Sequence, residues 1–262
     1  MEKRSLINKV TSLVLAVAMM FSVIMVMPKD VSAAELSLPA KGGTVTITDE
    51  MSSGVSGQLS YIKYKPSKNG YLQLSFSSAT KLYSYAAGKV QLFDASRNKV
   101  LSTQMTYDTS STQKIDKTEC YGVQKGKTYY IAALTAGGVN ISAKFTKVND
   151  KSGKKKQKAL TLKKKKKVVG TILAGSSNSH FYKFKLTKKQ KLNFGITPYL
   201  GDTVIVTMSG SNVFTKTFRV GSGSWGTRYQ IYTSGAVNPG TYYVQVKPAS
   251  KVCTGYYKVD WK

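Results

Sequence analysis

The chain contains the same strand pattern twice, and this internal repeat constrains the fold more than any other sequence feature. Residues 241–246 (TYYVQV) match residues 128–133 (TYYIAA) at an offset of 113 residues. Residues 180–185 (HFYKFK) match residues 60–65 (SYIKYK) at an offset of 120 residues. Two blocks that repeat in the same order indicate an internal duplication, so we expect one fold to occur twice.

Apolar and polar residues alternate through both copies, which is typical of β-strands with one buried face. Turn residues recur at short intervals, and no long segment shows the 3.6-residue period of a helix. The sequence therefore predicts an all-β protein made of two tandem antiparallel, jelly-roll-like β-sandwiches. In the second copy the predicted core comprises Tyr182, Phe184, Leu186, Leu192, Phe194, Ile196, Val204, Val206, Met208, Tyr242, Val244, Val246, Tyr257, Val259 and Trp261. In the first copy it comprises Ile62, Tyr64, Leu72, Leu74, Phe76, Val90, Leu92, Tyr129, Ile131, Ile141 and Phe145.

The first 33 residues have the pattern of a signal peptide. Three basic residues precede an apolar run over residues 10–27, and small residues lead up to Ala33. We expect cleavage after Ala33 or Ala34 and export of the remaining chain. The alternative is an uncleaved membrane anchor, because the apolar run is nearly long enough to span a bilayer. The expected location is extracellular, with the protein either released or associated with the cell surface.

A run of lysines separates the two copies and sets the expected domain boundaries. The first sandwich is predicted over residues 34–149 and the second over residues 168–262. Residues 150–167 form a lysine-rich linker that includes the first strand of the second domain, with residues 163–167 as the turn after that strand.

Positive charge is concentrated in the second half of the protein. The net charge is +28, and residues 151–262 hold 22 Lys and Arg against only Asp202 and Asp260. A field of one sign attracts polyanions. The candidate ligand-binding residues on this ground are Lys163, Lys164, Lys165, Lys166 and Lys167. The other interpretation is a solvated basic linker.

A glycine-rich loop over residues 221–228 gives a second candidate surface. It places Trp225 and Arg228 beside several glycines and serines. Such a loop can present a flat ring to a sugar or a peptide. The alternative is that Trp225 folds back and caps the sandwich.

The residue inventory argues against catalysis and against a bound metal. His180 is the only histidine, and no Asp or Glu lies near it in the sequence, so we expect an ordinary histidine at a strand end. One histidine and two distant cysteines do not make a zinc site. Cys120 and Cys253 fall at non-equivalent positions, which leaves an interdomain disulfide and two free thiols as alternatives. We expect no catalytic residue, no metal ligand and no cofactor.

The order of the strand motifs resembles the bacterial pre-peptidase C-terminal domain. An aromatic-x-aromatic strand is followed by Leu-x-Phe-x-Ile, Val-x-Val, Gly-Thr-Tyr-Tyr-Val-x-Val and Gly-x-Tyr-x-Val. The match covers residues 168–261 and, more loosely, residues 54–148. The resemblance implies a secreted accessory module of jelly-roll-like fold without chemistry of its own, in some members with bound calcium. Here Asn178, Ser179 and His180 occupy places where the family often has acidic residues, so a calcium site is not expected.

These observations predict a secreted, non-catalytic binding or accessory protein that acts at the bacterial envelope or on extracellular polymers. The expected partners are a cell-wall polymer, a polysaccharide or another polyanion, or a secreted enzyme. The alternative function is an accessory or targeting subunit of a separate extracellular hydrolase. An enzyme in its own right is the third interpretation.

Overall fold

The computed structural model describes residues 34–48, 58–79, 87–108, 114–210 and 213–262. Within these ranges every regular element is a β-strand apart from two short 3-10 helices, Lys156–Lys158 and Ser222–Ser224. The predicted all-β class is therefore confirmed. The part of the chain that the structure describes contains no helix with the length and apolarity of a membrane span. The predicted signal peptide, residues 1–33, lies outside the described residues.

Each copy supplies nine strands among the residues that the structure describes. The first copy contains β1 Ala34–Leu38, β2 Gly42–Ile47, β3 Gln58–Tyr64, β4 Gly70–Ser78, β5 Ala87–Phe93, β6 Met105–Asp108, β7 Lys114–Val123, β8 Tyr129–Ala136 and β9 Val139–Lys147. The second contains β10 Leu160–Thr161, β11 Val168–Ile172, β12 His180–Leu186, β13 Asn193–Leu200, β14 Val204–Gly210, β15 Val213–Val220, β16 Tyr229–Tyr232, β17 Gly240–Pro248 and β18 Gly255–Trp261.

The two copies have the same sheet topology, strand for strand. In the first, sheet A has the order β1-β3-β8-β5-β6 and sheet B the order β2-β9-β4-β7. In the second, sheet C has the order β10-β12-β17-β14-β15 and sheet D the order β11-β18-β13-β16. Adding nine to each strand number of the first copy gives the second. The structure therefore contains one sandwich topology twice, as the sequence repeat predicted.

One pairing in each copy departs from the predicted antiparallel arrangement. Strand β1 runs parallel to β3, and β10 runs parallel to β12. The reason is the path of the chain, because the second strand of each copy crosses to the opposite sheet before the third returns beside the first. The other strand pairs within the four sheets are antiparallel.

The predicted cores lie between the two sheets of each copy. All fifteen side chains predicted for the second core are buried. In the first core ten of the eleven are buried, and Phe145 is half-buried against the cluster. Two of the core aromatics have partners for their polar ends, since Tyr64 donates to the Ala40 carbonyl and Trp261 donates through Nε1 to the Leu162 carbonyl. Tyrosine and tryptophan can therefore fill these cores without leaving those polar groups unpaired.

Candidate functional site

The two sandwiches contact each other through the outer faces of sheets B and D, where Gly122 lets the two backbones meet. The Gly122 N–H donates to Thr254 Oγ1 at 2.9 Å, and the Ala174 N–H donates to the Gly122 carbonyl at 2.8 Å. A Cβ at Gly122 would lie 2.0 Å from the Ile172 carbonyl oxygen. Only glycine permits this approach.

A buried carboxyl group lies beside this contact. Glu119 is 4% exposed, and its Oε1 accepts the Cys120 N–H at 3.1 Å. Burial raises the pKa of Glu119 to about 7, because the ionised form has lost its water. Cys120 and Cys253 are both buried as free thiols, so the structure contains two thiols and no bridge between them.

A stack of aromatic rings crosses from the first sandwich to the second. Tyr71 of β4 stacks on Tyr256 of β18 with ring centroids 3.8 Å apart, and Tyr256 stacks on Tyr199 of β13 at 4.4 Å. Trp225 meets Tyr199 edge-on at 5.9 Å. The ammonium of Lys258 lies 5.1 Å from the centre of the Tyr199 ring. Burial raises the pKa of Tyr256, so this phenol stays neutral between its two neighbours.

Beside this stack runs a groove of about 530 Å³ between the two sandwiches, which we call the basic groove. Tyr71 and Tyr256 line it together with apolar residues of β10 and β11. Its basic lining residues are Lys147, Lys151, Lys163, Lys166, Lys167 and Lys258. No acidic side chain is among the described residues that line it. The first sandwich, the linker and the second sandwich all contribute lysines, so the groove exists only when the two sandwiches are docked.

The predicted lysine turn, residues 163–167, forms the wall that the second sandwich contributes to this groove. Strands β10 and β11 lie on either side of residues 163–167, as the sequence predicted. Lys165 has a left-handed backbone with φ 60°, and its N–H donates to the Trp261 carbonyl at 2.8 Å. Lys164 is not part of the groove lining, and its Nζ lies 5.5 Å from the centre of the Trp261 ring. Three of the five candidate lysines therefore line the groove, and Lys164 and Lys165 do not.

The other two candidates lie near the far end of the aromatic stack. Trp225 follows the 3-10 helix Ser222–Ser224 and is half-buried against Tyr199. Arg228 donates from Nη2 to Asp260 Oδ1 at 2.6 Å and from Nε to the same oxygen at 3.0 Å. The Asp260 side chain is only 5% exposed, so the guanidinium charge is paired within the protein. The structure connects Trp225 to the lysine turn through the tyrosines, a link that the sequence did not predict.

His180 has an acidic neighbour that sequence proximity did not show. It begins β12, and its Nδ1 lies 2.6 Å from the Tyr257 hydroxyl and 3.5 Å from Asp150 Oδ2. Asp150 stands 30 residues earlier in the chain. Burial lowers the pKa of His180, and the Asp150 charge opposes this shift. Tyr257 is fully buried, so no substrate atom reaches its oxygen in this structure.

Among the described residues no group of three His, Cys, Asp or Glu side chains could hold a metal ion. The sequence missed Tyr71, Tyr199, Tyr256 and Lys258 as site residues. Side chains alternate between the two faces of β18, so Tyr256 and Lys258 lie on the face opposite the core residues. This alternation was the sequence signal that could have identified them as residues of the outer face. Which surface covers them depends on how the sandwiches dock, and alternation does not report that.

The fold and the groove define a tandem β-sandwich protein with a lysine-lined interdomain groove. No family model matches the chain, and no curated protein is similar to it in sequence. Among solved structures it is similar to the pre-peptidase C-terminal domain of a Bacillus anthracis collagenase, with 14% identity, a TM-score of 0.32, and 39% of this chain and 93% of that chain covered.

It is also similar to a tandem CBM22 domain from Paenibacillus barcinonensis, with 10% identity, a TM-score of 0.26, and 84% of this chain and 89% of that chain covered. The CUB1-EGF-CUB2 domains of rat MASP-1 give 10% identity and a TM-score of 0.27, with 88% of this chain and 99% of that chain covered. These likenesses are too weak to indicate a function for this chain.

Proposed function

We propose that the protein is an exported, non-catalytic binding protein whose basic groove holds a polyanionic polymer of the bacterial envelope or its surroundings. The observation that carries the proposal is the convergence of six lysines from both sandwiches and the linker on one groove, with no acidic side chain among the described residues of its lining. The signal-peptide pattern of residues 1–33 supports export.

The charge arrangement favours a polymer over a small anion. Six ammonium groups around one groove repel each other, and a polymer that brings several negative charges relieves this repulsion at several positions at once. Binding also releases the counterions condensed on the polymer, so affinity should fall steeply with salt. A lysine ammonium is a flexible point charge rather than a planar fork, so the groove should accept carboxylate, sulfate and phosphate groups alike.

The tyrosines have a supporting role in this proposal. Tyr256 has one ring on each face and is 6% exposed, so a ligand does not stack on it. The stack instead fixes the two sandwiches at the spacing that brings their lysines together. Trp225 adds one more ring to the stack, and we propose that a polymer longer than the groove contacts Trp225 next. Arg228, already paired with Asp260, adds little to the attraction.

The test is the affinity for a heparin oligosaccharide of a variant in which Lys163, Lys166 and Lys167 are replaced by Gln. We expect weaker binding and a less steep dependence of affinity on salt. Each contact between a lysine and an anionic group of the polymer contributes about 0.9 to the slope of log K against log salt, so the loss of three contacts should reduce the slope by about 2 to 3. These side chains project from a turn, so the fold should be retained.

The matched control replaces Lys188, Lys189 and Lys191 by Gln. These three lysines are exposed in the connection between β12 and β13, and their replacement removes the same total charge. The control should keep the affinity and the salt slope of the parent. If both triple variants weaken binding equally, only net charge matters and the groove proposal is wrong.

A further inference from the structure

A second cavity lies beside the basic groove, and we call it the polar cleft. The cleft has a volume of about 590 Å³ and shares Val148 and Asn149 with the groove as a common wall. The polar side chains that line it come from the first sandwich, the linker and the second sandwich. They include Gln124 and Lys127 of the first sandwich, Asp150 and Lys154 of the linker, and Asn178 and His180 of the second sandwich.

The chemistry of the cleft differs from that of the groove. The groove offers lysines and aromatic rings, whereas the cleft offers amides, hydroxyls, one imidazole, one carboxylate and the ammonium groups of Lys127 and Lys154. Amide and hydroxyl side chains both donate and accept hydrogen bonds. A ligand that complements this lining must therefore supply donors as well as acceptors. A polyphosphate chain only accepts hydrogen bonds, whereas the hydroxyl groups of a sugar do both.

The linker wall of the cleft is held in place by partly buried side-chain hydrogen bonds and by backbone hydrogen bonds. Asp150 accepts the Ser152 N–H at 2.8 Å through Oδ1 and the Thr171 N–H at 2.7 Å through Oδ2. Gly153 and Phe181 exchange two backbone hydrogen bonds, of 3.1 and 2.7 Å. The linker therefore follows a fixed path along the second sandwich. A wall fixed in this way reduces the entropy lost on binding.

We infer that the polar cleft binds the hydroxyl groups of a polysaccharide whose acidic groups lie in the basic groove. This inference rests on the proposed function, and it names the polymer as an acidic polysaccharide. RNA also has hydroxyl groups and negative charge, but single-stranded nucleic acid is bound through aromatic faces on which bases stack. The groove is lined by Tyr256, with both ring faces covered, and by Tyr71, with one ring face on Tyr256, so it offers a base at most one ring face, which favours the polysaccharide.

The experiment compares three probes of matched length and charge: an oligogalacturonate, an inorganic polyphosphate and a single-stranded RNA. The test variant combines Gln124→Leu with Asn178→Leu, which removes one lining amide from each sandwich without changing the charge. The matched control combines Gln104→Leu with Asn98→Leu, two exposed positions outside both cavities. Circular dichroism and the melting temperature establish that each variant is folded.

We expect the cleft variant to bind oligogalacturonate about tenfold more weakly, since two amides that hydrogen-bond the sugar hydroxyls are lost. Its affinity for polyphosphate should stay within about twofold of the parent, and the control should match the parent for every probe. The cleft inference is overturned if the parent does not bind oligogalacturonate, if the cleft variant leaves that affinity unchanged, or if it weakens polyphosphate equally. If the cleft variant loses affinity only for the RNA, the assignment of the ligand as a polysaccharide is overturned.

The lysine variant of the basic groove separates the two proposals. If the replacement of Lys163, Lys166 and Lys167 by Gln weakens the binding of oligogalacturonate and of polyphosphate alike, the proposed function of the basic groove is supported, whatever result the cleft variant gives. If that variant leaves both affinities unchanged, the proposed function itself is wrong.

Discussion

Gly122→Ala should separate the two sandwiches while leaving each one folded. Gly122 lies on the outer face of sheet B, so an added methyl group does not enter the core of its own sandwich. Its Cβ would lie 2.0 Å from the Ile172 carbonyl oxygen, 2.7 Å from the Ile172 carbonyl carbon and 3.0 Å from the Gly255 carbonyl oxygen. These neighbours are backbone atoms of the second sandwich, so no side-chain rotation relieves the clash.

The cost can be worked from the contacts that separation would break. The hydrogen bonds from Gly122 to Thr254 and from Ala174 to Gly122 are lost, each worth about 0.5 to 1.5 kcal/mol. The stacking of Tyr71 on Tyr256 is lost as well, worth about 0.5 to 1.5 kcal/mol beyond its buried area. We therefore expect docking of the sandwiches to weaken by about 2 to 4 kcal/mol.

Calorimetry and small-angle X-ray scattering measure the outcome. We expect coupled unfolding of the two sandwiches in the parent, and two separate melting transitions and a larger radius of gyration in the variant. Gly235→Ala is the matched control, because a Cβ at Gly235 meets nothing within 4 Å. If Gly122→Ala has the scattering profile and melting behaviour of the parent, the docked arrangement of the sandwiches, and with it the basic groove, is wrong.

Two further predictions concern stability. Glu119→Gln should stabilise the protein increasingly as pH rises, reaching about 3 kcal/mol by pH 8. The folded pKa of about 7 lies above the unfolded value of 4.5, so the stability contributed by the protonated carboxyl is lost as pH rises through 7. Chemical denaturation at pH 5 and pH 8 measures the gain, and an equal effect at both pH values would contradict it. Tyr242→Ala should cost about 3 to 5 kcal/mol, since this core ring is 1% exposed, whereas Tyr243→Ala on the outer face should be mild. Equal melting temperatures for the two tyrosine variants would show that the assigned facing is wrong.

Most of the fold was predictable because strand alternation reports directly which side chains are buried. Tyr242, Val244 and Val246 were assigned to the core by parity alone, and all three are buried. The turn over residues 163–167 between two strands followed from the same pattern. The parallel pairing of β1 with β3 was not predicted, because the alternation of buried and exposed residues carries no information about the direction of the neighbouring strand.

The candidate site was predictable only in part. The lysine run and Trp225 stand out in composition, but their relation depends on Tyr71 and Tyr256, which meet across two domains. Likewise, Asp150 approaches His180 only because the linker folds back along β12. Contacts made by docking one domain on another depend on shape at both surfaces, and one strand pattern does not encode that shape. The domain boundaries at residues 149–150 and 167–168 stay predictions.

Lysine footprinting tests the central claim most directly, because it reports which ammonium groups a polymer covers in the intact protein. The protein is acetylated briefly with and without a heparin oligosaccharide, and the modified lysines are quantified by mass spectrometry. The basic groove predicts protection of Lys163, Lys166 and Lys167, with Lys188 and Lys189 modified at the same rate in both samples. Equal protection of all five lysines, or protection confined to Lys188 and Lys189, would contradict a binding site in the groove.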